Sequence, residues 1–198
     1  MGRILFIKNM CCERCVATIE NILTEIGQPF SEVKIGEIRV EEEISEIEIN
    51  RINDSLVRCG FSLVDKPAAK TVVQIQALLC EYVRAIVNNS GKMQKLSTYI
   101  ESNLHRSYYH LSKTFSSETG LTIEKYFLAL KMEKAKELIL EDKLSLSSIG
   151  WQLGYTSSQT FSTQFKKVTG LTPGAFKLNP NPPRKAWDKL LPQDFEQS

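Results

Sequence analysis

A chain of 198 residues, 42% of them apolar, suits one or two small domains with modest cores. No apolar run approaches the roughly 18 residues of a membrane span, and the apolar run Ile4–Ile7 is too short for a signal peptide, so no membrane is expected as a partner. The net charge of +2 hides an asymmetry. Residues 1–66 hold 8 Lys/Arg against 12 Asp/Glu, whereas residues 67–198 hold 17 against 11, so only the second part is suited to approach phosphates. The cysteine count, 5, is odd and three of them crowd into Cys11–Cys15, which argues against a disulfide framework and for the reducing cytoplasm.

Arg3–Asn9 alternates Ile4 and Phe6 with Leu5 and Ile7 and predicts a buried strand. A helix follows to about Ile26, with Val16, Ile19, Ile22 or Leu23, and Ile26 on one face; Gly27 and Pro29 end it. Val33 and Ile35, then Ile38 and Val40, are short alternations whose phase flips at Gly36-Glu37, which calls for a tight hairpin or a bulge. A second helix, from about Ser45 to Arg58, carries Ile47, Ile52, Leu56 and Val57; Gly60 stops it, and Phe61–Val64 is a last short strand. The order βαββαβ over residues 1–66 predicts an α+β, ferredoxin-like sandwich with both helices on one sheet face.

Cys12 and Cys15 stand three apart at a helix N-terminus, where the helix dipole lowers thiol pKa values and two thiolates converge on one soft ion. The pair suits Cu(I), Hg(II) or Zn(II). Cys11 is either a third ligand or points away. With Met10, Cys12 and Cys15 before the first helix and Gly60-Phe61 before the last strand, this region resembles the heavy-metal-associated domain of copper chaperones and metal-pumping ATPases. The resemblance implies one thiophilic metal ion, Cu(I) or Zn(II), at Cys12 and Cys15, with Phe61 shielding the loop. Cys11 replaces the Thr or other small polar residue usual in that family. A redox-sensing dithiol, or a domain kept for packing or dimer contacts, are the other readings of these residues. Cys59 and Cys80 are expected to be buried packing residues.

Asp65-Lys66-Pro67 reads as a short hinge, followed from Lys70 to Val87 by a helix with Val72, Ile75, Leu79, Tyr82 and Ile86 on one stripe, widened by Val73, Leu78, Val83 and Val87. That stripe is too apolar for an isolated linker. It is expected to pair with a second copy or to lie on the N-terminal domain. Asn88–Lys92 (NNSGK) breaks the chain, so residues 67–92 form a connecting segment.

Residues 107–126 and 157–176 are similar at an offset of fifty: Ser107, Ser112, Phe115, Thr119, Gly120, Leu121 and Thr122 recur as Ser157, Ser162, Phe165, Thr169, Gly170, Leu171 and Thr172, and Tyr126 answers to Phe176. In the later copy Leu146, Ile149 and Leu153 form a helical stripe, Gly154 stops it, and Thr156 or Ser157 caps a second helix with Phe161, Phe165 and Val168 on one face. Its other face shows Ser158, Gln159, Thr160, Ser162, Thr163, Gln164 and Lys166, without one acid. An ordinary solvated face would mix Glu with Lys; this is the pattern of a helix-turn-helix. No glycine marks the corresponding turn at Leu104–Ser107, so the first copy is expected to be abbreviated, lacking the preceding helix or using Leu96–Leu104 in its place. A helix over about Ile123–Glu141 joins the copies and spans on the order of 28 Å, close to the roughly 34 Å between successive major-groove segments on one face of DNA.

The Ala135–Leu138 segment, Ile149, Gly154-Tyr155, Phe161, Phe165-Lys166-Lys167, Gly170 and Thr172-Pro173 together resemble the DNA-binding domain of the AraC/XylS family, over about Leu96–Leu178. The resemblance implies double-stranded DNA as partner, with base contacts from Tyr109, Ser112 and Lys113 in the first reading helix and Ser158, Gln159, Thr160 and Thr163 in the second. Gln can pair bidentately with adenine and Thr can touch a thymine methyl; Lys166 and Lys167 are expected on phosphate. Gln159 has a rival role in a capping box with Thr156. His105 and His110 suit backbone or phosphate contacts. Family-wide use of dimers favours a homodimer through residues 70–87. The domain is expected over residues 93–178, before a Pro-rich tail, 179–198, in which Trp187, Leu190 and Leu191 suit a short docking helix.

Together these readings describe an α+β domain, a linker helix and an all-α domain with one full and one abbreviated helix-turn-helix. The expected function is that of a non-enzymatic, cytoplasmic, sequence-specific transcription regulator that binds DNA without an essential cofactor, responds to a thiophilic metal at its N-terminal dithiol, and has the transcription machinery as a possible partner. The alternatives are a regulator whose N-terminal domain is structural or binds a partner, and a metal carrier or thiol redox protein with an accessory basic domain.

Overall fold

The computed structural model describes residues 3–10, 13–41, 43–88 and 94–179. Its contacts divide the chain into two compact units, Met1–Ala77 and Leu78–Ser198.

The first unit runs β1 (Arg3–Lys8), α1 (Glu13–Glu25), β2 (Glu32–Lys34), β3 (Glu37–Val40), α2 (Glu46–Arg58) and β4 (Ser62–Val64). The strands form one antiparallel sheet in the order β2-β3-β1-β4. Lys34 pairs with Glu37, so the phase flip is a hairpin whose two-residue turn is Ile35-Gly36. Gly36 has φ +85, and a Cβ there would lie 2.7 Å from Val73 Cγ1, so both backbone and space require glycine. Ile7, Ile19, Leu23, Ile38, Ile52 and Leu56 are fully buried. Ser45 caps α2 in a capping box with Glu48. Ile52 and Leu56 form its inward stripe; Ile47, 82% exposed, and Val57 do not join it, contrary to expectation, because at 100° per residue both fall off the 52/56 line. Cys80 is buried as expected, whereas Cys59, at the C-terminal cap of α2, is exposed.

Helix α3 runs from Pro67 to Asn88, and the division between the units falls within it. Pro67 is its first residue rather than part of a hinge, a position where the missing N–H costs nothing. Val72, Val73, Ile75, Leu79, Tyr82 and Val83 are buried within this one chain. The stripe expected to pair two copies through residues 70–87 is therefore already covered. Most of the NNSGK break and the tail from Pro180, with Trp187, Leu190 and Leu191, lie outside the described residues.

The second unit continues with α4 (Leu96–Leu104), α5 (Tyr108–Thr119), α6 (Ile123–Glu141), α7 (Leu146–Gln152), α8 (Ser158–Thr169) and α9 (Pro173–Lys177). Helix α6 packs against α5, α7, α8 and α9, which is why ten of its residues are buried and its pattern lacks one clean stripe. The fifty-residue offset extends to hydrogen bonds: Thr119 Oγ1 donates to Phe115 O and accepts from Leu121 N, and Thr169 Oγ1 does the same with Phe165 O and Leu171 N. Phe115 meets Tyr126 edge-on at 5.6 Å, as Phe165 meets Phe176 at 5.6 Å.

The first copy is not abbreviated: of the two expected alternatives, Leu96–Leu104 serves as its first helix. Helix α4 occupies the place that α7 holds in the second, and His105 adopts the left-handed conformation (φ 51) that ends α4. The turn exists without the glycine that would have announced it. Among the described residues, no helix is long and apolar enough to cross a membrane.

Candidate nucleic-acid interface

Helix α8 is fixed from inside and open on the outside. Phe161 and Phe165 are fully buried, with ring centroids 5.8 Å apart, and Phe161 lies 5.5 Å from Tyr155 in the turn before the helix. These rings belong to a core with Met132, Ala135, Leu138, Ile139, Ile149, Leu153 and Phe176. At 100° per residue, burying Phe161 and Phe165 directs Gln159, Thr163 and Lys166 to the opposite face. Ser158, Gln159, Thr160, Thr163, Lys166 and Lys167 are all exposed. The face is acid-free, and its two lysines lie in the last turn of the helix.

The cap of α8 settles the competing roles. Ser157 Oγ accepts from Thr160 N at 3.1 Å and shares a 2.8 Å hydrogen bond with Thr160 Oγ1. Ser157, not Thr156, is the cap, so Gln159 is not drawn into a capping box. The Thr160 hydroxyl is engaged in the cap.

In the first copy, Tyr109 is 72% exposed and Lys113 is exposed, while Ser112 is half-buried. Tyr108, Tyr109, Ser112, Lys113 and Ser116 line a shallow groove of about 400 Å³ along α5. His110 is exposed and lies edge-on to Tyr109 at 5.5 Å; His105 is taken up by the turn. Ser116 and Ser117 stand where the second copy has Lys166 and Lys167, so α5 brings less positive charge than α8.

Sequence reasoning missed Lys131 on α6. Its Nζ lies 4.1 Å from the Tyr155 ring centroid and 5.7 Å from that of Phe127. Burial lowers the Lys131 amine to about 8, and burial also pushes the Tyr155 phenol up to about 12. The signal was available: Lys131 is four residues from Phe127 and from Ala135, on a helix already expected to be buried.

In the first unit, Met10 is buried, and its sulfur accepts from Gly36 N at 3.1 Å. Asn9 Nδ2 donates to Gly60 O at 2.8 Å, tying the end of β1 to the turn before β4, and Phe61 beside that turn is buried. Cys15 is half-buried and not in a disulfide; Cys11 and Cys12 lie outside the described residues. Among the described residues, no group of three His, Cys, Asp or Glu side chains is placed to hold a metal ion.

Two helix-turn-helix units joined by one buried helix, with an acid-free outer face on the second, define the class: a tandem helix-turn-helix DNA-binding domain. Residues 101–179 match the family model described as a helix-turn-helix domain. Over 119 residues the chain is 29% identical to the MmsAB operon regulatory protein of Pseudomonas aeruginosa, covering 52% of this chain and 39% of that one. Over 75 residues it is 37% identical to the Msm operon regulatory protein of Streptococcus mutans, covering 38% and 26%. It is 25% identical over 142 residues to the transcriptional activator RhaR of Salmonella schwarzengrund, covering 72% and 49%. The chain thus spans less than half the length of each of these relatives. Among solved structures, an AraC-type regulator from Chromobacterium violaceum is 24% identical with a TM-score of 0.43, covering 54% of this chain and 96% of that one. Residues 101–179 are thus a helix-turn-helix domain, and transcription regulators recur among the proteins the chain resembles.

Proposed function

We propose that this protein is a sequence-specific transcription regulator in which α8 makes the principal base contacts, through Gln159 and Thr163, while Lys166 and Lys167 hold phosphate. The observation that carries this reading is the α8 surface: a cap that leaves Gln159 outside it, an outer face without acids, and two lysines at its end. Duplex DNA is the partner this chemistry fits. Selection from a randomised duplex pool should return a defined site whose preference weakens when Gln159 is replaced by Ala. Recovery of an unchanged random pool would sink the reading.

The first unit is proposed to tune this binding through a thiophilic ion, Cu(I) or Zn(II), at Cys12 and Cys15, with Cys11 as a third ligand or pointing away. The Cys12/Cys15 spacing and a βαββαβ order with strands β2-β3-β1-β4 support the reading. Replacing both cysteines by Ser should abolish any effect of added Zn(II) or Cu(I) on DNA affinity and spare basal binding. A metal effect that persists in the double variant removes this mechanism. DNA binding indifferent to metal and thiol reagents favours a structural or partner-binding first unit.

A further inference from the structure

The two reading helices occupy equivalent places but are held by different devices, and the difference converges on Tyr108. Tyr108 is the first residue of α5. Its backbone N–H donates to Glu101 Oε1 of α4 at 2.5 Å, and its phenol donates to Glu124 Oε1 of α6 at 2.5 Å. Ser107, the cap residue of α5, makes no side-chain cap bond, whereas Ser145, Ser157 and Thr172 each cap their own helices. Helix α5 thus takes its cap from a neighbouring helix, as a carboxylate placed at the positive end of the helix dipole. Burial, then Glu124, raises the Tyr108 phenol well above its ordinary range, so it remains a donor. Burial pushes the Glu124 carboxyl up, but bonds from Tyr108, its own backbone amide and Thr122 outweigh it and leave the group below its ordinary value, an ionised acceptor. Hydrogen bonds to an ionised carboxylate are the stronger kind.

At the fifty-residue offset the second copy has Trp151, Ser158 and Gly174 in place of Glu101, Tyr108 and Glu124, and none of these side chains can reproduce the clamp. That copy has Phe161 where the first has Leu111, and Phe161 packs in a core with Phe165 and Phe176. Helix α5 has the smaller Leu111 at that position, and two acids hold its first residue. Acids beside a surface that meets phosphates oppose binding electrostatically, so their presence needs a local reason.

We propose that Glu101 and Glu124 are positioning residues for α5: gripping Tyr108 at its amide and its phenol, they fix the angle at which Tyr109 and Lys113 meet DNA, and so set base preference in one half of the binding site. The inference rests on the reading that α5 faces duplex DNA. A charge-assisted clamp specifies direction where apolar packing specifies only burial.

The test uses the full chain and a duplex selected from a randomised pool by the unaltered protein, with affinities then measured for every single-base change in that duplex. Tyr108→Phe and Glu124→Ala should each lower base discrimination about tenfold, the size of one lost hydrogen bond near 1.4 kcal/mol, and only in the half that also responds to Lys113→Ala. The half that responds to Gln159→Ala should keep its preference. Glu124→Gln, which retains an acceptor, should restore most of the discrimination. Unfolding midpoints accompany each variant, and Tyr108→Phe carries the test if Glu124→Ala does not fold. Equal loss in both halves, no loss in either, or no rescue by Glu124→Gln would overturn the proposal. An unaltered protein without any sequence preference would overturn the DNA reading itself, a result distinct from the other three.

Discussion

The Lys131 ammonium and the Tyr155 ring, 4.1 Å apart, join the middle of α6 to the turn between α7 and α8. The ring favours the ammonium, but burial outweighs it and lowers the amine to about 8, against about 10.4 in an unfolded chain. Between these values the unfolded chain holds a proton that the folded chain does not, so stability rises with pH across that window; below it the cost of the buried charge is present in full. Replacing Lys131 by Met removes this dependence. Urea unfolding of both proteins at pH 7 and pH 10 should show the unaltered protein gaining relative to the Met variant at the higher pH. A constant difference would contradict the assignment.

The proposed division of labour on α8 separates two kinds of loss. Thr163→Ala should relax preference at a limited set of bases, at roughly 1–3 kcal/mol. Lys166→Ala should weaken every duplex alike and reduce the slope of affinity against salt by about one charge. Binding titrations at several salt concentrations, on matched and single-mismatch duplexes, distinguish the two. Loss of sequence preference on replacing Lys166 alone would reverse the roles.

His105 ends α4 in a conformation that a side chain disfavours by about 1–2 kcal/mol. His105→Gly should therefore stabilise the second unit by about 0.5–1 kcal/mol after the greater chain entropy of glycine is deducted. A raised thermal midpoint checks this, and a lowered one would mean that the imidazole makes a compensating contact.

Gly36→Ala is the opposite case. The residue sits at φ +85, and its new methyl would meet Val73 Cγ1 at 2.7 Å. Destabilisation of about 2 kcal/mol or more is expected from the backbone and the displaced side chain together. Shortening Val73 to Ala in the same chain should recover the steric part only.

Much of this architecture was legible because it is written in period and punctuation. The apolar spacing of Leu146, Ile149 and Leu153, the stop at Gly154 and the offset-fifty recurrence of Phe115 as Phe165 placed the later reading helix to within a residue or two. The first turn was not legible, because His105 takes a conformation that composition assigns to glycine. The α3 stripe showed that a face would be covered, but periodicity does not say by what; the chain covers it itself. The cap at Ser157 rather than Thr156, and hence the freedom of Gln159, is a choice between adjacent hydroxyls that only geometry decides. The contacts of Tyr108 with Glu101 and Glu124 join three helices, and the period of no single helix announces them.

The fifty-residue recurrence gives the proposed DNA-facing surface a head and a tail. Tyr109 and Lys113 face outward from one reading helix, Gln159 and Thr163 from the other, and nothing on α5 duplicates the lysine pair of α8. A twofold dimer of identical readers treats both directions along a duplex alike. Two unlike readers in one chain do not: turning the molecule end for end exchanges a tyrosine-bearing helix with a glutamine-bearing one and mismatches both. On the proposed reading, the sites such a surface would select are non-palindromic, and a single bound chain would point along the duplex in one direction.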